Sequence, residues 1–288
     1  MIELKGLTKK YDDFTAVDNL NLTIETGGFF GLLGPNGAGK STTIGMLSTL
    51  YLPTKGEIMI DGEKLTRKNT ALKRKLSVVT QEYSMRQDMT IEEIMEYQGR
   101  LYFMPKKERR DRAQELLEFC DLADYRRRTV RKLSGGMKRK LMVCRALLTG
   151  PDILLLDEPT AGMDALARRQ MWNLLKKLNR DHLTILLTTH YMEEAEILCD
   201  HVGLMNLGKL KEVDTPKAMI DRLGRYAVDR ISDGELSSSF FGTQDEAIRY
   251  LTGLKCDASL RNTTLEDVFL EKTGKSQNKR KNSGKEEE

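Results

Sequence analysis

The chain has 288 residues, enough for one large core or for a large core with a small appendix. Its 47 Lys+Arg and 43 Asp+Glu leave a formal charge of only +4, so nothing argues for a nucleic-acid partner, and most of these charges are expected on solvated helix faces. No apolar run approaches the roughly 18 residues a membrane span needs and no signal-peptide pattern opens the chain, so a cytosolic protein is expected, free to dock on a membrane protein.

Residues 1–25 alternate apolar and polar positions (Ile2, Leu4; Leu20, Leu22, Ile24), and Gly56–Asp61 does so through Ile58 and Ile60. That pattern predicts a small antiparallel sheet. Between them, the apolar run Phe29–Leu33 has strand length and is followed by Gly34-Pro35-Asn36-Gly37-Ala38-Gly39-Lys40-Ser41-Thr42. An amphipathic helical pattern through Ile44, Leu47 and Leu50 comes next, and Leu76–Val79 predicts another buried strand. From about Glu82 to Arg128 the sequence is strongly charged and predicted helical. Thr90 with Glu93 spells a capping-box start, and Pro105 breaks the stretch before a helix through Leu116, Leu117 and Phe119. This part, about 82–130, reads as a helical subdomain inserted in the connections of the sheet.

A further helix is predicted over Met137–Leu148. Strand-length runs recur at Ile153–Leu156, Thr184–Leu187 and Val202–Met205, with helical patterns between most of them. The rhythm predicts a mostly parallel α/β core sheet covered on both faces. Residues 1–214 form this main domain. A small αβ appendix, 215–274, ends in a helix over Leu265–Thr273, with Leu265, Val268 and Phe269 on one face and Gly274 as a stop signal. The charged tail 275–288 is expected to be disordered. The cysteines (Cys120, Cys144, Cys199, Cys256) and histidines (His182, His190, His201) show no metal-type spacing, so buried free thiols are expected.

Two strings carry chemistry by themselves. Gly34–Ser41 satisfies G-x-x-x-x-G-K-[ST] between a predicted strand and a predicted helix. Glycines let backbone N–H groups converge on phosphate oxygens, the helix N-terminus adds partial positive charge, and Lys40 adds a full one at the β- and γ-phosphates. The Ser41 hydroxyl suits Mg²⁺, so ATP or GTP binding is expected. The second string is the apolar run Ile153–Leu156 ending in Asp157-Glu158-Pro159. Asp157 at the strand end suits Mg²⁺ through water, and Glu158, pointing elsewhere by strand alternation, is free to polarise an attacking water.

With Leu133-Ser134-Gly135-Gly136-Met137 added, residues 1–214 resemble the ATP-binding-cassette (ABC) ATPases, the motor subunits of ABC transporters. The family's motifs are present and in its order. The resemblance implies a P-loop fold, ATP and Mg²⁺. It also implies that Tyr11 stacks on adenine, that Gln81 contacts Mg²⁺ and the attacking water, and that His190 contacts the γ-phosphate. Asp164, in Ala161-Gly162-Met163-Asp164, matches the loop that crosses a dimer interface. Ser134, Gly135 and Gly136 are implied to face the nucleotide held by a second ATPase subunit, an identical copy or a homologue. A separate transmembrane permease is the other implied partner, placing the chain on the cytoplasmic face of the membrane.

Without the family, Ser134 reads as an ordinary helix N-cap, Gln81 as a surface residue and His190 as a strand-end histidine. Met137 stands where many members carry glutamine and Met163 where leucine is common. LSGGM and the closing Thr264–Leu270 are similar to the exporter branch typified by daunorubicin-resistance ATP-binding subunits. Two other classes stay open: a soluble ABC ATPase of translation or DNA repair, and a nucleotide-binding regulator without hydrolysis. The sequence has neither the paired cassettes nor the long coiled-coil or zinc insertions usual in the former, and Glu158 with His190 opposes the latter.

Overall fold

The N-terminal alternation becomes two antiparallel strands, β1 (Ile2–Tyr11) and β2 (Phe14–Ile24), which bury Ile2, Leu4, Leu20, Leu22 and Ile24. The fully buried strand β3 (Phe29–Leu33) leads into helix α1 (Lys40–Leu47). Strand β4 (Lys55–Ile60) pairs antiparallel with β1, and β5 (Glu63–Lys64) completes a sheet of order β2-β1-β4-β5. This computed structural model describes residues 1–273 apart from Asp181, Asp233 and Lys255, so the expected stop at Gly274 and the tail 275–288 lie outside the described residues.

Helix α2 (Thr70–Arg74) and strand β6 (Leu76–Val79) precede three mutually packed helices, α3 (Ile91–Leu101), α4 (Lys106–Phe119) and α5 (Gly135–Leu147). The chain then runs through β7 (Ile153–Asp157), α6 (Ala165–Asn179), β8 (Thr184–Thr189), α7 (Met192–Leu198), β9 (His201–Asn206) and β10 (Lys209–Asp214). Among the described residues the main sheet has the order β10-β9-β3-β8-β7-β6, parallel from β9 to β6. Every residue of β3, β7 and β8 is buried, as their unbroken apolar runs demand. Their carboxyl ends come out side by side, the edge where open α/β sheets bind ligands.

Four expectations need correcting. Helix α1 is not amphipathic and stops at Leu47: Thr43, Ile44, Gly45, Met46 and Leu47 are all buried, whereas Leu50 is 61% exposed. The Tyr51 ring lies so close over Gly45 that a Cβ there would sit 2.4 Å from it, which closes the face the helix would otherwise show. Residues 82–90 are not helical. Their neighbourhood finds other hydrogen bonds, since the carbonyls of Thr80, Gln81 and Ser84 accept from Arg139 and Arg145 of α5. The capping box does start α3, with Glu93 N–H donating to Thr90 Oγ1 at 3.2 Å and Thr90 N–H to Glu93 Oε2 at 2.8 Å. Helix α5 starts two residues before Met137, because Ser134 Oγ caps it by accepting the Met137 N–H at 3.2 Å. Of the four cysteines, Cys256 is exposed and the other three are buried.

Between α3 and α4, Glu96 accepts two bonds from Arg109 at 2.7 Å, and these hold its carboxyl down to about 2. A depressed carboxylate contributes stability above its unfolded value that is lost as pH falls toward the folded one. Glu96→Gln should therefore cost about 1–2 kcal/mol at neutral pH. The gap to the parent, followed by urea unfolding, should shrink progressively below about pH 4.5; a gap independent of pH would place the loss in packing.

A second compact unit begins at Asp214. It comprises α8 (Pro216–Leu223), β11 (Tyr226–Ser232), β12 (Glu235–Phe241), α9 (Gln244–Thr252), β13 (Ala258–Asn262) and α10 (Leu265–Thr273). Its antiparallel sheet has the order β12-β11-β13. Arg261 clamps the unit by donating to both Asp229 and Asp267, and α10 buries Leu265, Val268 and Phe269 as its spacing predicts. Among the described residues no helix is long and apolar enough to cross a membrane.

Candidate active site

At the carboxyl ends of β3, β7 and β8 lies a cleft of about 480 Å³, lined by Asn36–Thr42 together with Gln81, Glu158, Gly162 and His190. A larger groove of about 630 Å³ between α3 and α4 surrounds the Glu96–Arg109 pair. It has no phosphate cradle, so the chemistry belongs to the first.

The loop after β3 can take its path only with glycine at two points. A Cβ on Gly34 would lie 2.1 Å from the Met205 carbonyl oxygen. Gly39 has φ 104° and would put a Cβ 2.4 Å from the Ala16 carbonyl oxygen. This winding delivers Lys40 to the start of α1, 5% exposed, where its Nζ donates to the carbonyls of Gly34 (2.8 Å) and Pro35 (3.1 Å). Glu158 Oε1 is 3.5 Å from the same ammonium. Burial nevertheless pushes the Lys40 amine below its ordinary value, outweighing Glu158 and Asp157. The cation is thus under-compensated, which favours an arriving phosphate.

Asp157, the last residue of β7, accepts at Oδ1 from Ser41 Oγ (3.0 Å) and Thr188 Oγ1 (2.6 Å). A hydroxyl and a carboxylate at the mouth of a phosphate cradle are the hard oxygen donors that suit Mg²⁺, which completes its shell with waters and substrate phosphates. Glu158 turns the opposite way with φ 49°, and its Oε2 lies 3.1 Å from Nδ1 of His190. An ionised carboxylate can only accept, so Nδ1 is the donor in this pair, and Nε2 has no hydrogen-bond partner among the described residues.

Gln81 lines the cleft from the loop after β6. Its carbonyl accepts from Arg139 at 2.9 Å, and that arginine, 2% exposed, also holds the Thr80 carbonyl and stacks on Tyr83. Tyr11 does not line the cleft. It is 40% exposed, edge-on to Tyr51 with ring centroids 6.1 Å apart. The aromatic that does line it from this hairpin is Phe14, register partner of Tyr11. Sequence reasoning missed Phe14, Thr188 and Arg139, because only register and burial mark them.

Ser134, Gly135, Gly136 and Asp164 do not line this cleft either. Ser134 caps α5, and Asp164 caps α6 by accepting the Ala167 N–H at 2.8 Å. A Cβ on Gly136 would meet the Ala167 side chain at 3.3 Å, so the two helix starts are neighbours.

A P-loop nucleoside triphosphatase is the class that this sheet, cradle and carboxylate pair define. A family model for the ABC transporter matches residues 17–161. The Nod factor export ATP-binding protein I of Cupriavidus metallidurans is 41% identical over 221 residues, 77% of this chain and 73% of the relative. The daunorubicin resistance ATP-binding protein of Streptomyces coeruleorubidus is 33% identical over 302 residues, 95% of this chain and 96% of the relative. A solved ATP-binding cassette in a dimeric post-hydrolysis state with ADP and Pi is 32% identical, with a TM-score of 0.68 over 75% of this chain and 98% of that one. The chain belongs to the ATP-binding subunits of ABC transporters. It binds and hydrolyses ATP as the motor subunit of such a transporter.

Proposed function

We propose that this subunit powers export by pairing head to tail with a second ATPase subunit and coupling to a separate transmembrane permease. The observation that carries the pairing is the placement of Ser134–Gly136. They start a capped helix of 13 residues whose N-terminal N–H groups suit phosphate, yet they stand outside their own chain's cleft. Facing the cleft of another subunit would bury two ATP molecules between the pair. That the relatives are named for drug resistance and Nod factor export supports the exporter direction. A peripheral location on the cytoplasmic face of the membrane follows from that permease.

Within the site, the backbone of Asn36–Thr42 and Lys40 would hold the phosphates, while Tyr11 and Phe14 would border the base. Ser41 and Asp157, with Gln81, would hold Mg²⁺, which when bound neutralises charge on the phosphate oxygens. Glu158 would accept a proton from the attacking water, and His190 Nε2 would reach the γ-phosphate. Asp164 would lie at the subunit boundary. Losing the γ-phosphate removes the cross-boundary contacts and reopens the pair. Gln81, tied to α5 through Arg139, would pass that movement to the helical subdomain, and the main domain 1–214 would act as the cassette with 215–274 as its appendix.

Gly135→Asp tests the pairing. A Cβ at Gly135 meets only the Tyr83 hydroxyl, at 3.5 Å, so the fold has room for it. Set against a partner's phosphate, the added charge should abolish phosphate release, at least 100-fold, while ATP affinity of the cleft stays within about threefold. Release at the parent's rate would show that one chain holds a complete site.

A further inference from the structure

Thr188 belongs to no motif, yet both acids of the site are held through it. It sits in β8 in register with Asp157 and has no exposed surface. Its Oγ1 lies 2.6 Å from Asp157 Oδ1 and 3.2 Å from the backbone nitrogen of Glu158. A hydroxyl has a single proton to give. The carboxylate can only accept and the amide can only donate, so the proton points at Asp157 and a lone pair at Glu158. The single proton is thereby committed to Asp157, and each bond has one direction.

Each bond has a consequence. Ser41 Oγ also donates to Asp157 Oδ1, at 3.0 Å, so both donors fall on one oxygen, and Oδ2, with no hydrogen bond among the described residues, would be left for the water of a cation. On the other side, Glu158 has φ 49°, a left-handed conformation unfavourable for a residue with a Cβ. Its N–H is shared between the carbonyl of Thr188 (3.0 Å) and the hydroxyl (3.2 Å). The turn that swings Glu158 away from Asp157 is therefore pinned by the residue that fixes the Asp157 carboxylate.

We propose that Thr188 is a positioning residue for the metal–nucleotide: one hydroxyl sets the plane of the Asp157 carboxylate toward Mg²⁺ and braces the peptide that aims Glu158. The inference rests on Asp157 being a Mg²⁺-holding carboxylate. A role in packing alone would be filled equally well by valine, which matches threonine in shape and suits a buried strand.

The test is a Mg²⁺ titration of binding of a fluorescent, non-hydrolysable ATP analogue to the full chain, with a parallel measurement in EDTA. Thr188→Val and Thr188→Ala should raise the half-saturating Mg²⁺ about tenfold or more, the usual effect of losing a partner of a metal ligand. Thr188→Ser should retain the parent's value, and all four proteins should bind the analogue alike in EDTA. A Thr188→Val value within twofold of the parent overturns the proposal, as does a shift confined to Thr188→Ala, which would mark packing. Asp157→Asn in the same titration separates the two levels. If it shifts while Thr188→Val does not, the role of Thr188 alone fails; if it does not shift, the metal reading fails and takes this inference with it.

Discussion

Glu158→Gln is expected to slow phosphate release by about 100- to 10,000-fold while leaving ATP affinity within a few-fold of the parent. The replacement keeps the shape and removes only the capacity to take a proton. Glu158 is 7% exposed, with one oxygen on His190 and the other on Lys40, so the amide can keep its oxygen on Lys40 and donate its NH2 to Nδ1 once His190 carries its proton on Nε2, and the fold has little reason to shift. Binding uses Asn36–Thr42, of which the change meets only the Lys40 ammonium, still held by the carbonyls of Gly34 and Pro35. The variant should consequently accumulate with uncleaved ATP and sediment as a two-subunit species, whereas the parent returns to single subunits as ATP is spent. Single-turnover phosphate release beside equilibrium binding separates the steps. Release within tenfold of the parent would take the base's role away from Glu158.

Lys40→Ala should weaken ATP binding by about 1,000-fold. A unit charge pair at 4 Å is worth about 4 kcal/mol at an effective dielectric near 20, and 1.4 kcal/mol is a factor of ten. The structure adds a reason for so large a dependence. Before nucleotide arrives, the ammonium is buried on two carbonyls and Glu158, and burial still disfavours its charge. Phosphate would relieve that deficit, so the favourable energy of the encounter is concentrated on this one group. Titration with a fluorescent ATP analogue measures the loss, and a dissociation constant within tenfold of the parent would place the phosphates elsewhere.

Much of the cleft was legible because its chemistry is local in the chain. A cradle written in consecutive residues, Gly34 to Ser41, needs only the strand before it and the helix after it. The acids Asp157 and Glu158 announce themselves at the end of an apolar run. The parallel strands β3, β7 and β8 were readable for the same reason, since burial on both faces leaves an unbroken apolar string. What stayed hidden depends on pairing across the fold. Thr188 looks like any strand threonine until β8 is set beside β7. Arg139 looks like one more charge on a surface helix until its bonds to Thr80 and Gln81 are seen. Phe14 gains its place only from the register of a hairpin. The stretch 82–90 misled in the opposite sense: its charge suggested a helix, but charge has no period, and the neighbouring carbonyls are satisfied by arginines from α5.

The standing of Ser134–Gly136 outside their own cleft also bears on how the cell keeps this ATPase from idling. If each catalytic centre needs two chains, turnover in free solution rises with the square of subunit concentration and is negligible when the subunit is dilute. Two copies held on one permease, as proposed above, would experience an effective concentration on the order of millimolar. Surplus subunits made without a permease would then waste little fuel, and the assembled transporter would switch hydrolysis on simply by gathering its motors in one place.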